Sequence, residues 1–358
     1  MELMILDANL DPISIVDIYE SLIWTDRYNA YGDFELYTTI TEKLPSYIKQ
    51  DYYVQVDGSE HVMIIEGISI KTDAEDGNHL TVSGRSLESI LDRRIVWGRQ
   101  SVQGSLQNGI KELLDEHVIN PSDADRRIDN FVFEESTDPA ITELTLDAQY
   151  TGNSLYDILH KVCSERGIGF KVTLNDSKQF VLKLYAGVDR SYNQTTNSYV
   201  IFSPDFDNIV NSNYVESRSA LKNAALVAGE GEGSDRKFTS VIHTNTSGMS
   251  RRELFVDARD ITSDLGDGNV LPEDQYMAKL TQRGNEKLTE NVEVSTFEGQ
   301  AETNVLYRYR EDFFDGDIVQ VANEYGHSTA ARILEIVRSV NNEGVSVYPT
   351  FETIQEGV

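Results

Sequence analysis

The sequence predicts an α+β chain that is mainly β, and three observations carry that prediction. Short apolar runs separated by Gly, Asn and Asp turn signals recur at close spacing in both the first and the last third. Helical stripes are confined to the middle and to one later segment. Residues 313–351 hold three strand-like runs with tight turns around Glu324-Tyr325-Gly326 and Asn341-Asn342-Glu343-Gly344, a β-meander with no nucleophile, ligand cluster or phosphate loop inside it.

In chain order, residues 3–83 read as all-β. Met4-Ile5-Leu6 is a short strand, Asn9-Leu10-Asp11-Pro12 a turn, and Ile13, Ile15 and Ile18 continue in strand-like sequence. Leu22 with Trp24, and Phe34 with Leu36, mark two strands broken at Tyr31-Gly32-Asp33. Asp57-Gly58 separates a strand over 52–56 from one over 61–70, and Asp76-Gly77 separates the latter from 80–83. Such spacing predicts a small antiparallel barrel or sandwich. Residues 86–92 read as a short helix with Leu87, Ile90 and Leu91 on one face.

The middle, 100–205, is α+β. Leu106, Ile110, Leu113 and Leu114 form one helical stripe. Leu155, Ile158, Leu159 and Val162 form another over 154–166, with Ser154 and Asp157 resembling a capping box and Gly167 placed for a left-handed cap. Strands over 170–174 and 180–185 make a hairpin, and the polar run 189–198 is a surface loop. Strands return at 223–229, 239–245 and 253–256, with a flexible turn or linker at 229–234. A helix opens at Pro272 with acids in its first turn, runs to about Glu290 and carries Met277, Leu280, Gly284 and Leu288 on one side.

Composition narrows the function classes. A length of 358 residues suits two to four domains, and 18 Tyr with 13 Phe supply ample core material. The formal net charge of −29 repels phosphate, which argues against stable binding of nucleic acid or of an anionic membrane surface. There is no basic-then-apolar leader and no run of ~18 apolar residues, so neither a signal peptide nor a membrane anchor is expected and the chain is expected to be made in a cytoplasm. The single cysteine, Cys163, lies between apolar neighbours of a helix and reads as a buried structural thiol.

Candidate chemistry is sparse. The glycines of 229–233 lack the Lys-Ser/Thr ending of a phosphate loop, and two glutamates sit among them. The stretches 264–269 and 73–78 carry calcium-loop residue types without the calcium-loop pattern. His61, His79, His117, His160, His243 and His327 are scattered, with no pair at zinc-hydrolase spacing. No nucleophile elbow occurs. A glycosidase needs only two nearby carboxylates, and no pair stands out. The sequence therefore names no catalytic, cofactor-binding or metal-binding residue and no cofactor.

Several segments together resemble the tail-hub proteins of long-tailed phages, the Tal-type tail-associated proteins of siphoviruses and prophages. The run Tyr19-Glu20-Ser21-Leu22-Ile23-Trp24-Thr25-Asp26-Arg27-Tyr28, followed by Gly32-Asp33-Phe34-Glu35-Leu36, is similar to their opening strands. Gly84-Arg85-Ser86-Leu87, continuing through Ile90-Leu91 to Arg93-Arg94-Ile95, is similar to the close of their first barrel. Gly316-Asp317-Ile318-Val319, Ala331-Arg332-Ile333-Leu334-Glu335-Ile336 and Pro349-Thr350-Phe351 resemble the end of the hub region.

The resemblance implies two antiparallel β-barrel domains of phage baseplate-hub type plus α+β inserted domains. The expected division is 1–95 for the first barrel, 96–205 for an α+β domain, 206–235 with 300–358 for the second barrel, and 236–299 for an insertion with one helix. It also implies a homotrimeric, non-enzymatic hub at the virion tail tip. Such a hub caps the tail tube, meets the distal tail protein, the tape measure and receptor-binding or fibre proteins, and surrounds a DNA exit channel whose acidic wall does not retain DNA. Many relatives continue into a hydrolase or fibre region; this chain, ending at Val358, either lacks it or is a piece of a longer protein, and no activity of such regions is carried over. Two other readings are a cell-wall hydrolase or glycan-binding module of a phage tail, which a paired-carboxylate cleft would mark, and a subunit of a phage-derived contractile or secretion apparatus.

Overall fold

A computed structural model describes residues 1–41, 43–75, 77–243, 246–266, 269–301 and 306–354. Its secondary structure is 42% strand and 21% helix, so the chain is mainly β, with the helices gathered in the middle. The first strands are β1 (Leu3–Leu6), β2 (Pro12–Val16), β3 (Ser21–Arg27) and β4 (Asp33–Thr39). A single helical turn α1 (Leu44–Tyr47) precedes β5 (Tyr53–Val56), β6 (Val62–Asp73) and β7 (Gly77–Ser86). Alternation drives these strands: Leu22, Trp24 and Asp26 of β3, and Phe34, Leu36 and Thr38 of β4, all turn inward. Of the expected turn between β6 and β7, Asp76 lies outside the described residues. Ile18 falls beyond β2 and is exposed.

The expected helix at 86–92 is a 3-10 segment, Leu87–Arg93, which buries Leu87, Ile90 and Leu91 as the stripe requires. Next come β8 (Arg99–Val102), α2 (Leu106–Leu114), β9 (Phe131–Glu134), α3 (Pro139–Thr142), β10 (Ala148–Thr151), α4 (Leu155–Arg166), β11 (Gly169–Leu174) and β12 (Phe180–Tyr185). Gly167 closes α4 in the left-handed region at φ 65°. The capping box does not form. The Ser154 hydroxyl instead donates to Asp92 Oδ1 at 3.2 Å, tying α4 to the 3-10 segment.

The remaining strands are β13 (Ile201–Phe202), β14 (Ile209–Ser217), β15 (Ala224–Ala228), β16 (Phe238–Ile242), β17 (Glu253–Asp257), β18 (Asp264–Gly266) and β19 (Asn269–Val270). After helix α5 (Glu273–Thr289) come β20 (Val294–Ala301), β21 (Ile318–Ala322), β22 (Ser328–Asn341) and β23 (Gly344–Thr353). The expected strand at 239–245 ends at Ile242; Thr244 and Asn245 lie outside the described residues. The glycine-rich stretch 229–234 is the connection of the β15–β16 hairpin rather than a linker between domains.

One antiparallel system dominates. A 13-stranded sheet runs in the order β14-β20-β23-β22-β3-β4-β7-β6-β5-β1-β2, with β21 on β22 and β13 parallel to β21. Strands from the beginning and the end of the chain are thus joined directly, through β3 and β22. The resemblance implied two closed barrels. Among the described residues no sheet closes on itself, and β2 and β14 each pair on one side only. The two halves nevertheless keep separate cores: Leu22, Trp24, Phe34, Leu36 and Met63 in one, Phe202, Phe297, Phe313, Ile333 and Phe351 in the other. A third core packs α2 and α4 on β11 and β12, and a fourth packs α5 on β15–β17.

Strand β22 joins the halves by changing partner. Its first part, Ser328 to Arg332, pairs with β21, and its second part, Glu335 to Asn341, pairs with β3. The register against β23 shifts between Ile333 and Glu335, a bulge that bends the strand where the partner changes. The Leu334 carbonyl at this bulge accepts from the Tyr28 amide at 2.9 Å.

Candidate functional site: the junction of the two sheet halves

Strand alternation places Asp26 of β3 and Arg338 of β22 on inward positions, after Leu22 and Trp24 in one strand and between Ile336 and Val340 in the other. Charged residues at core positions must be paired, because desolvation of a lone charge is costly. The structure pairs them: Arg338 reaches Asp26 Oδ2 at 3.0 Å, and both are buried. Trp24 Nε1 donates to Asp26 Oδ1 at 2.9 Å, and the Tyr309 hydroxyl lies 3.0 Å from Asp26 Oδ2. The Arg338 guanidinium also sits 5.7 Å from the centre of the Tyr309 ring.

Tyr309 extends the network toward the middle of the chain. Its hydroxyl is 3.2 Å from Asp315 Oδ1, and the Tyr185 hydroxyl of β12 donates to Asp315 Oδ2. Burial, followed by the nearby Asp315 carboxylate for Tyr185 and by Asp26 and Asp315 for Tyr309, pushes both phenols well above their ordinary range, so they remain neutral donors. Beside them, Glu88 of the 3-10 segment meets His61 at 3.2 Å and accepts the Val172 amide of β11 at 2.8 Å. Burial alone would lower the His61 pKa, but the adjoining Glu88 carboxylate outweighs it and holds it at about 9. The pair therefore carries opposite charges at neutral pH and ties the residue that enters β6, the 3-10 segment and β11 together.

Tyr28 is the steric pivot. It is fully buried, and its ring is packed against Gly169 and Gly316, where an added Cβ would lie 2.5 Å and 2.1 Å from ring carbons. Gly316 also has φ 89°, which glycine adopts without strain. The Gly187 amide donates to the Tyr28 hydroxyl at 3.2 Å, and Arg332 lies 5.3 Å from the ring centre. On the flank, Arg27 bridges Asp33 and Glu335, each at 2.5 Å. Residues from three segments that carry the family resemblance, around Tyr28, Gly316 and Arg332, are thus neighbours in space.

Asp26 with Arg338, Glu88 with His61, and Arg27 with Asp33 and Glu335 are ion pairs, and Asp315 accepts from neutral phenols. Glu88 Oε2 and Arg338 Nε are buried without a hydrogen-bond partner among the described residues. A cleft of about 210 Å³ beside the junction, lined in part by Glu60, Lys171, Arg310 and Asp317, is likewise charge-paired: Glu60 with Lys171 at 2.6 Å and Arg310 at 2.9 Å, Asp317 with Arg190 at 2.8 Å. A cavity of about 700 Å³ lies on the C-terminal half, and its described lining holds one carboxylate, Glu216, where hydrolysis of a glycan needs two.

The scattered histidines stay scattered. His61 has the role above; His79 faces Glu20 at 3.3 Å; His117 is buried and its pKa is lowered by burial. His160 lies 2.8 Å from the Asn29 carbonyl, His327 stacks on Tyr214, and the His243 amide donates to the Asn223 carbonyl. Cys163 is fully buried, and burial raises its pKa, which keeps the thiol protonated. Glu230 of the glycine-rich loop accepts from Thr262 and Ser263 at 2.8 and 3.1 Å, a structural use of that carboxylate. In the calcium-like stretches, Asp76, Asp267 and Gly268 lie outside the described residues. Among the described residues no three His, Cys, Asp or Glu side chains form a metal-sized group, and no helix is long and apolar enough to cross a membrane.

A scan against family models matches residues 2–351 to the Siphovirus ReqiPepy6 Gp37-like protein family. The chain belongs to that family. The resemblance to tail proteins of siphoviruses and prophages read from the sequence therefore stands. No curated protein matches the sequence. Solved structures share the fold across the chain at low identity. The prophage tail protein gp18 of Listeria monocytogenes EGD-e is 11% identical with a TM-score of 0.57, covering 100% of this chain and 96% of its own. The prophage MuSo2 43 kDa tail protein of Shewanella oneidensis is 13% identical with a TM-score of 0.58, covering 98% of each. A tail protein of Neisseria meningitidis MC58 is 12% identical with a TM-score of 0.59, covering 99% and 97%.

Proposed function

We propose that this family member is a non-enzymatic structural part of a phage tail: a homotrimeric tail or baseplate hub at the virion tail tip. It would cap the tail tube, contact the distal tail, tape-measure and receptor-binding or fibre proteins, and surround the DNA exit path. The observation that carries the reading is the single large sheet made of two halves with separate cores, locked at β3–β22. Three copies would set six half-sheets about one axis, able to face sixfold parts on one side and threefold parts on the other. The half-paired end strands β2 and β14 are the natural places for neighbours, since native proteins seldom leave strand edges bare. The division into 1–95, 96–205, 206–235 with 300–358, and 236–299 belongs to the same proposal, although the cores cross its bounds: β15 packs with β16, β17 and α5, and β20 joins the large sheet. Part of the −29 charge would face the channel, where carboxylates repel DNA phosphates and speed passage.

Light scattering across concentration tests the ring directly. The monomer mass is 40.3 kDa, and the expected particle has three times that mass, with a ring in electron micrographs. A monomer both free and within isolated tails would overturn the hub reading. Release of soluble fragments from purified cell wall would overturn the non-enzymatic one.

A further inference from the structure

Where the 3-10 segment turns into β8, the otherwise acidic molecule carries a compact cationic cleft of about 310 Å³. Arg93 and Arg94 lie on one wall and Arg126 on the other. The two inner arginines lock each other: Arg94 Nε donates to the Arg126 carbonyl at 2.7 Å, and Arg126 Nη2 donates to the Ile95 carbonyl at 2.8 Å. Neither has a carboxylate within 4.0 Å among the described residues, although the chain carries 60 acidic side chains. Their partners are backbone carbonyls, so their full charges and several N–H groups remain available. Burial, then the neighbouring Arg126 and Arg93 charges, lowers the Arg94 pKa, as expected for a site of positive potential. Beside them stands Trp97, 71% exposed, with the Arg126 guanidinium 5.3 Å from its ring centre.

We infer that this cleft docks an acidic peptide segment of a partner protein, taking one carboxylate on Arg94 and Arg126 and an adjoining apolar side chain against Trp97. Arginine forks match carboxylates bidentately, and Trp and Arg are among the residues most enriched at the energetic hot spots of protein interfaces. The charge of the whole molecule separates this ligand from a polyanion. A long phosphate chain would meet the repulsion of the −29 body on either side of the cleft. Asp123 and Asp125, which also line it, set the same limit of room for a single acidic group. This inference does not depend on the trimer.

The two tryptophans make the test direct, because Trp24 is fully buried and Trp97 reports alone on added quencher. The full chain is titrated with an acetylated, amidated pentapeptide carrying one central Glu flanked by Leu on each side, reading protection of Trp97 from iodide quenching. Saturable protection is expected, with none from the same peptide carrying Lys in place of Glu. Arg94→Gln with Arg126→Gln should weaken binding by about tenfold or more at an unchanged melting temperature. If that double variant does not fold, Trp97→Ala, which leaves both arginines in place, should weaken binding of the fluorescein-labelled peptide in anisotropy. Absence of saturable protection, equal protection by the Lys peptide, or tighter binding of inorganic polyphosphate than of the Glu peptide would each overturn the inference.

Discussion

The seam between β3 and β22 and the contact between α5 and the middle of the chain are both buried and polar, and they handle charge in opposite ways. At the seam, Asp26 and Arg338 form an ion pair at 3.0 Å, and Trp24 and Tyr309 use further carboxylate lone pairs. At the α5 contact, Lys279 is 3% exposed and donates only to the backbone carbonyls of Val102 and Ala148, at 3.3 and 3.0 Å. Burial lowers the Lys279 pKa and raises that of Glu286, so both are pushed toward neutrality. The difference follows from what else holds each contact. The seam is a strand pair in fixed register, where a misplaced charge cannot slide to a new partner. The α5 contact is made by side chains across packed elements, which adjust more easily.

If the seam depends on its ion pair, Asp26→Ala should break it. Arg338 would be left buried and uncompensated, at a cost of roughly 3–5 kcal/mol in chemical denaturation. Replacing both partners together, Asp26→Leu with Arg338→Met, should recover most of that loss; failure to recover would show that Trp24 and Tyr309 contribute more than the charges. Next in size is Gly316→Ala, which forces a Cβ to 2.1 Å from the Tyr28 ring at φ 89°. Its cost should be roughly 2–4 kcal/mol by urea midpoint, against a smaller cost of about 1–2 kcal/mol at Gly326, where an added Cβ meets nothing within 4 Å and only the positive φ is strained.

His61 offers a pH test of the same junction. Its folded pKa of about 9 lies above the ordinary 6.5, so the folded state binds the extra proton. The stability it supplies is complete below about 6.5 and is lost as pH rises through about 9, at most about 3 kcal/mol. Urea midpoints from neutral to alkaline pH should fall more steeply for the native chain than for His61→Gln. Parallel curves would remove the pair from the account. The smallest effect is expected at the α5 contact: Lys279→Met should cost roughly 1–2 kcal/mol, since a chain of similar shape fills the space but the Val102 and Ala148 carbonyls lose their donor.

Local pattern made much of this molecule legible. The inward Leu-x-Trp and Phe-x-Leu positions, the stripes of α2, α4 and α5, the Gly167 cap and the terminal meander all follow from period and turn chemistry, and each appears where the sequence places it. The junction was half legible. A charged residue in phase with core positions, as at Asp26 and Arg338, is a signal that a buried partner exists, yet nothing local says which one. The same holds for Ser154, whose hydroxyl goes to Asp92 across the fold and leaves its own helix uncapped.

The sequence by itself determined the mainly β class, the positions of most elements, the acidity and the family. Only the tertiary structure decided that β22 leaves β21 for β3 at a bulge, that both halves share one sheet, and that Asp26 meets Arg338 across 312 residues of chain. The reason is physical. Periodicity records which face of a strand is buried, because each residue feels that locally. The choice of neighbouring edge depends on backbone groups that are chemically alike in every strand, and it is settled only when all the cores are buried at once.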